Sequence, residues 1–352
     1  MAYTTIDDPS AYFQTALYTG NGGSSTQVVT NDGNSDLEPD WIWLKNRTSA
    51  RWHLVNDSSR GASYNIYPNE EDAEDVGGSG GNTSITSFNS DGFTLATDTN
   101  DGGWNEQGDS HVAWQWKANG GTTSTDTNGA VNSTVQANTT AGFSIVTWTS
   151  AGSTNVGHGL GVAPNLIIMK ARNGAENWLV SSDEIDWTKR IRLNLTNGSA
   201  TSSAFGQAPT SSIFYCHPAT ASYNYVAYCF AEKQGYSKFG SYKGNSNADG
   251  PFIYTGFKPA WIMFKKTSGA DGWGIFDNKR GYQNATNPLD AYLQPNANNA
   301  ESGESDSIDF LSNGFKWRIS SGFRNESGST FIYMAFAESP FVSSKGVPTT
   351  AR

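Results

Sequence analysis

Three short runs decide how this chain folds: Trp41-Ile42-Trp43-Leu44-Lys45, Leu166-Ile167-Ile168-Met169-Lys170 and Trp261-Ile262-Met263-Phe264-Lys265. Each begins two residues after a proline (Pro39, Pro164, Pro259) and ends in lysine. Each is too short for an ordinary helix and rich in strand formers, so each reads as a buried β-strand. Upstream lies an aromatic strand in every case, Phe13 to Tyr18, Phe143 to Trp148 and Phe239 to Tyr242. Downstream, at nearly constant distance, comes a tryptophan: Trp52, Trp178 and Trp273. A residue type that recurs in this way serves the common fold, so these three tryptophans are expected in the core.

The correspondence continues. The first and third copies share Asp57/Arg60/Gly61 with Asp277/Arg280/Gly281, and Pro68-Asn69 with Pro295-Asn296. They share Phe88/Gly92/Phe93 with Phe310/Gly314/Phe315, and an Asn-Glu-x-Gly at Asn105 and Asn325. All three copies close on an apolar strand, Val112 to Trp116, Val226 to Phe230 and Ile332 to Phe336. The sequence therefore predicts an all-β chain of three repeated β-sandwich, jelly-roll-like modules with long polar loops, each module about 95–110 residues long. The expected boundaries are a docking segment at 1–10, modules at 11–118, 141–235 and 236–341, and a tail at 342–352. The middle copy is the most diverged. The Gly/Ser/Thr/Asn stretch 119–140 reads either as a polar linker or, through Val131, Thr134 and Gln136, as an extended strand.

Composition agrees with β structure and narrows the function. The 352 residues include 38 Gly, 12 Trp, 15 Tyr and 18 Phe, too many aromatics for a disordered chain. A formal charge of −10, with no Lys/Arg cluster, disfavours nucleic-acid binding. No apolar run approaches the roughly 20 residues of a membrane helix, and no secretory leader is recognisable. Cys216 and Cys229, the only cysteines, read as small core residues rather than a disulfide framework or a zinc motif.

Motifs for chemistry are sparse. His53, His111, His158 and His217 show no metal-ligand spacing. Gly157-His158-Gly159-Leu160-Gly161 lacks the lysine and the strand-to-helix setting of a phosphate loop, and reads as a turn into the Pro164 strand. Acidic runs at 70–75, 183–186 and 301–309 read as solvated loop charge; a structural calcium is the one metal they suggest, and no catalytic residue is assigned. Five aromatics lack a counterpart among the repeats: Tyr64, Trp104, Trp187, Tyr282 and Phe323. Large rings on polar loops stack on sugars or partner side chains, so these five are the candidate glycan or partner contacts. The competing reading is that each plugs its own loop onto the sandwich.

The stretches Ala2-Tyr3-Thr4-Thr5-Ile6-Asp7-Asp8-Pro9-Ser10-Ala11-Tyr12-Phe13-Gln14-Thr15, Trp41 to Arg47, Ala141 to Val146 and Val156 to Pro164 resemble tailed-phage virion proteins, marine ones especially. So do Phe230-Ala231-Glu232, Phe239-Gly240-Ser241-Tyr242 and Asp309 to Phe315. The resemblance runs from Ala2 to about Phe341. It implies a tail-fibre-like structural protein, made in the host cytoplasm and exposed on the virion, without a cofactor or membrane insertion. Other virion proteins, host-surface glycan and the chain itself would be its partners, with a homotrimer favoured by analogy with fibres. A head decoration or head-fibre role is the alternative expectation, and a polysaccharide depolymerase a more distant one.

Overall fold

The computed structural model describes residues 2–22, 25–76, 83–98, 103–152, 154–217, 221–282 and 286–349. The chain is all-β, built from antiparallel sheets; among the described residues the helical elements are one turn at Gly322–Asn325 and a 3-10 turn at Pro9–Ala11. One four-strand order occurs three times. In the first unit Phe13–Thr19 pairs with Ser110–Trp116, which pairs with Trp41–Asn46, which pairs with Leu54–Asp57. In the second the order is Phe143–Thr149, Asn224–Phe230, Leu166–Ala171, Leu179–Ser182. In the third it is Ser237–Lys243, Thr330–Pro340, Phe257–Lys266, Trp273–Asp277. The three apolar runs are thus central strands, which explains why they are apolar on both faces.

One face of every main sheet covers its own unit's core. The other turns inward to a core shared by all three units. Alternation along the strands produces this division. Ile42 and Leu44 point to the first unit's own core, whereas Trp41 and Trp43 enter the shared one. Ile167 and Met169 separate from Leu166 and Ile168 in the same way, and so do Ile262 and Phe264 from Trp261 and Met263. In the first and third units the unit's own core is closed by a second sheet, Gln27–Val29/Gly92–Leu95/Ile85–Asn89 and Phe252–Tyr254/Gly314–Trp317/Ser302–Leu311/Leu289–Tyr292. The shared hairpin glycine is required there. A Cβ on Gly92 or Gly314 would lie 2.0 Å from the carbonyl oxygen of Val29 or Ile253.

Residues 119–140 form no free linker. Ser124–Asp126 and Ser133–Asn138 extend the second unit's main sheet beyond Phe143–Thr149. The N-terminal segment, expected to dock on another particle component, is folded onto its own chain. Ile6 is buried in the shared core, Thr4 Oγ1 donates to Gln234 O at 2.8 Å, and Tyr3 OH donates to Gly256 O at 2.8 Å. Met1 and residues 350–352 lie outside the described residues.

Candidate functional site

The chemistry-bearing residues gather at the seams between units. Trp273 stands opposite Lys265, one strand over, and the registers Leu44 to Leu54 and Met169 to Leu179, carried on by one residue, set His53 and Trp178 against Lys45 and Lys170. The backbone N–H of each donates to an asparagine side chain of its own unit, Asn69, Asn194 or Asn296. The ring then reaches a neighbour. Trp178 Nε1 donates to Tyr67 O at 2.8 Å, Trp273 Nε1 to Arg192 O at 2.9 Å, and His53 Nε2 contacts Gln294 O at 3.0 Å. Each acceptor lies two residues before that neighbour's asparagine. The second unit holds the first, the third holds the second, and the first holds the third, so the ring of contacts closes within one chain. His53 accepts from Trp43 Nε1 through Nδ1 at 2.9 Å, which leaves the proton on Nε2. Burial, reinforced by the charge of Lys45, pushes its pKa well below the usual value.

This corrects the first-unit assignment. Trp52 does not occupy the core position shared with Trp178 and Trp273; it is 38% exposed and packs edge-on against Tyr67. His53 takes that position, because strand pairing rather than residue type fixes which side chain faces inward.

The three lysines repeat the same cycle. Lys45 Nζ donates to Asn46 O and to Asn298 O of the third unit. Lys170 Nζ donates to Ala171 O and to Glu71 O of the first, and Lys265 Nζ to Lys266 O and to Thr196 O of the second. Burial lowers Lys45 to about 7 and Lys170 and Lys265 to about 8. A lysine whose pKa falls on folding binds fewer protons folded than unfolded between the folded value and about 10.4. Stability therefore rises with pH across that window, by up to about 1.4 kcal/mol per pH unit for each lysine. The melting temperature is expected to climb from pH 7 to pH 9.5, and Lys45→Met to flatten the climb, as thermal melts across that range would record.

Two of the three seams carry a buried ionic chain. In the first unit Asp57 takes Arg60 Nε at 2.5 Å, Arg60 Nη1 reaches Glu74 at 2.8 Å, and Glu74 receives both Nε and Nη2 of Arg172 from the second unit. In the third, Asp277 takes Arg280 Nε at 2.6 Å, Arg280 Nη1 reaches Glu301 at 2.7 Å, and Glu301 receives Arg47 of the first unit. A donor from the neighbouring unit completes each aspartate: Tyr228 OH to Asp57 at 2.7 Å and Trp114 Nε1 to Asp277 at 2.8 Å. At the seam between the second and third units the corresponding residues are Ser182, Ile185, Ser199, Thr267 and Met334. Aspartate, arginine, glutamate and the neighbour's donor have been exchanged together. What persists is the backbone bond: Ser199 N to Thr267 O, matching Glu74 N to Arg172 O and Glu301 N to Arg47 O. Glu74 and Glu301 therefore correct the reading of their acidic runs as solvated charge.

The candidate contact aromatics divide. Trp104 is buried in the first unit's own core, and Tyr18 OH donates to its carbonyl; Asp101 and Gly102 of its loop lie outside the described residues. Trp187 is buried in the second unit's own core, with its ring against Phe205 and its Nε1 on Asp183. Neither is a surface contact, because the apolar area of an indole outweighs the polarity of the surrounding loop. Phe323 is half-buried between Phe264, Tyr292 and the Arg324 guanidinium. Tyr64 is half-buried at the seam between the first and second units, with Arg172 over its ring at 5.9 Å. Tyr282 alone among the five is exposed, at 61%. Tyr254, absent from that set, is 53% exposed.

Other sequence-level candidates are structural. His158 is buried with Nε2 on Thr210 O, and Leu160 N donates back to its Nδ1, which makes 157–161 a turn. Both cysteines are buried, and burial raises their pKa. Among the described residues no group of three His, Cys, Asp or Glu is placed to hold a metal ion. A cleft of about 550 Å³ lies between the first and third units, with Phe13, Thr15, Ala260, Asn278, Lys279 and Phe310 in its walls.

A closed ring of three β units, locked by buried polar side chains at its seams, is the class of molecule these residues define. The family model for a domain of unknown function, DUF7483, matches residues 8–340, and the chain belongs to that family. Comparison with curated proteins and with solved structures finds no match.

Proposed function

We propose that this protein is a structural component exposed on the virion of a tailed phage, acting as a tail fibre or tail-associated adhesin that touches host-surface glycan. The observation that carries the reading is how the polar groups are spent. Buried cations and carboxylates lock the units together, while exposed rings, Tyr282 and Tyr254 foremost, stand out on the surface. Such a body resists deformation and presents sugar-stacking faces. Of the acidic residues a depolymerase could draw on, Glu74 and Glu301 are committed to arginine pairs. The threefold arrangement that the fibre analogy puts between chains is met here between units of one chain, so we infer a monomer; sedimentation equilibrium should return 37.9 kDa.

Immunogold labelling of the parent phage tests the location. Label at the tail supports the adhesin. Label over the head moves the protein to capsid decoration, a role the closed compact body also suits. Absence of label from both intact and disrupted particles would reject a virion role. For the contact itself, recombinant protein is expected to compete with phage adsorption, and the double variant Tyr282→Ala/Tyr254→Ala to compete at least about tenfold less well at unchanged melting temperature, because exposed rings at a contact carry most of its energy.

A further inference from the structure

We propose that the cleft between the first and third units is a strand-acceptor site, which takes an extended, uncharged Ser/Thr/Asn/Gln-rich segment of a partner polypeptide onto the open edge of Phe13–Thr19. The precedent lies inside the molecule. Phe13–Thr19 and Phe143–Thr149 are the same strand of two units, since Phe13 lies opposite Trp116 as Phe143 lies opposite Phe230. In the second unit the outer edge of that strand is covered by Ser133–Asn138, with Asn138 opposite Phe143, Gln136 opposite Ile145 and Thr134 opposite Thr147. In the first unit the equivalent strand ends its sheet.

The backbone of that edge faces the right way. Lys117 N donates to Tyr12 O and Gly20 N to Asp109 O, so even-numbered residues bond inward to Ser110–Trp116. Alternation in an antiparallel ladder then turns the N–H and C=O of Phe13, Thr15 and Leu17 outward. Their second-unit counterparts, Phe143, Ile145 and Thr147, are the residues that face the covering strand. A further signal comes from a side chain. Thr15 is 5% exposed and lines the cleft, and its hydroxyl has no hydrogen-bond partner among the described residues.

The far wall carries the same signature. In the second unit's case, Gln136 Nε2 donates to Ser58 Oγ and Ser59 Oγ, both at 2.9 Å. The residues that follow Asp277 as those serines follow Asp57 are Asn278 and Lys279, and both line the cleft. Asp40, which receives the backbone of Ala118, Gly120 and Gly121 as the chain heads toward the covering strand, is replaced in the third unit by Ala260. The cleft is the empty counterpart of the Gln136 seat. Its charges are already paired, Lys279 with Asp32 and Lys258 with Glu338, which favours an uncharged occupant. The third unit's edge, Ser237–Lys243, is guarded instead by Lys238 and Lys243. Strand addition of this kind draws affinity from the main chain and specificity from alternate side chains.

The test uses the full chain and a synthetic peptide with the sequence of residues 131–139. Calorimetric titration is expected to show saturable binding, and hydrogen exchange to slow at Phe13, Thr15 and Leu17. A peptide N-methylated on its ladder-facing amides keeps every side chain and is expected to lose binding. Leu17→Pro removes one outward N–H on an edge strand, where proline is tolerated, and is expected to weaken binding at least tenfold; Lys243→Pro on the other edge is expected to leave it unchanged. Absence of binding at millimolar peptide, binding indifferent to N-methylation, or protection at Phe143 to Thr147 in place of Phe13 to Leu17 would each overturn the proposal. So would a host oligosaccharide filling the cleft while the peptide does not compete.

Discussion

Asp277→Ala is expected to destabilise the protein by about 3–5 kcal/mol, the cost of stranding a buried charge by removing its partner. The carboxylate accepts from Arg280 Nε at 2.6 Å, from the backbone N–H of Lys279 and Arg280, and from Trp114 Nε1 of the first unit at 2.8 Å. Its loss leaves Arg280 fully buried with half its compensation and an indole N–H with none. Asp57→Ala should cost about as much, because Arg60 and Tyr228 stand to it as Arg280 and Trp114 stand to Asp277. The pairs can be separated. A double-mutant cycle between Asp277→Ala and Trp114→Phe should show coupling of roughly 1 kcal/mol or more, whereas Asp57→Ala with Trp114→Phe should be additive. Urea denaturation supplies the four free energies in each cycle.

The second large effect concerns the shared core. Trp41 stacks on Tyr228 of the second unit at 4.6 Å between ring centroids, lies 4.4 Å from Trp116, and meets Phe143 and Phe230 within 6 Å. Trp41→Ala opens a cavity that rings from two units cannot both collapse into, and should cost about 3–5 kcal/mol. Trp261→Ala should behave alike, since Trp261 meets Phe13, Trp114 and Trp116 across another seam. Val28→Ala, at an exposed side chain of the first unit, should change the unfolding free energy by no more than about 0.5 kcal/mol. If Trp41→Ala fell in the same range, the shared core would not be what holds the units together.

Much of this architecture is written in the chain. Apolar runs behind a proline marked the central strands correctly, because a central strand buried on both faces has no other composition open to it. The error at Trp52 came from matching residue types. A one-residue shift reverses a strand's faces, so His53 inherits the inward position although nothing in its chemistry resembles tryptophan. Trp104 has no counterpart by residue type. Its counterpart is Arg324, since Tyr18 OH and Tyr242 OH bind the two carbonyls and Asn105 and Asn325 follow. A Trp-to-Arg exchange conceals a shared position from any reading by type.

The seams were legible only in part. Lys45, Lys170 and Lys265 were visible as the common end of the runs, yet a lysine after an apolar strand ordinarily points to solvent. Glu74 and Glu301 each follow the unit's asparagine by five residues, and Arg47 and Arg172 each follow the lysine by two. Those offsets were available in the sequence, but nothing local reveals that they meet across a seam. The cleft edge at Phe13–Thr19 was illegible for a different reason: it is defined by a strand that one unit has and another lacks.

Calorimetry of the full chain tests most directly the claim that the three units are one body. Shared-core aromatics and a closed cycle of buried contacts predict a single cooperative transition, with calorimetric and van't Hoff enthalpies that agree at roughly 250 kcal/mol, from about 0.7 kcal/mol per residue. Two or three separate transitions that divide that enthalpy between them, shifted one at a time by Trp41→Ala or Asp277→Ala, would contradict it.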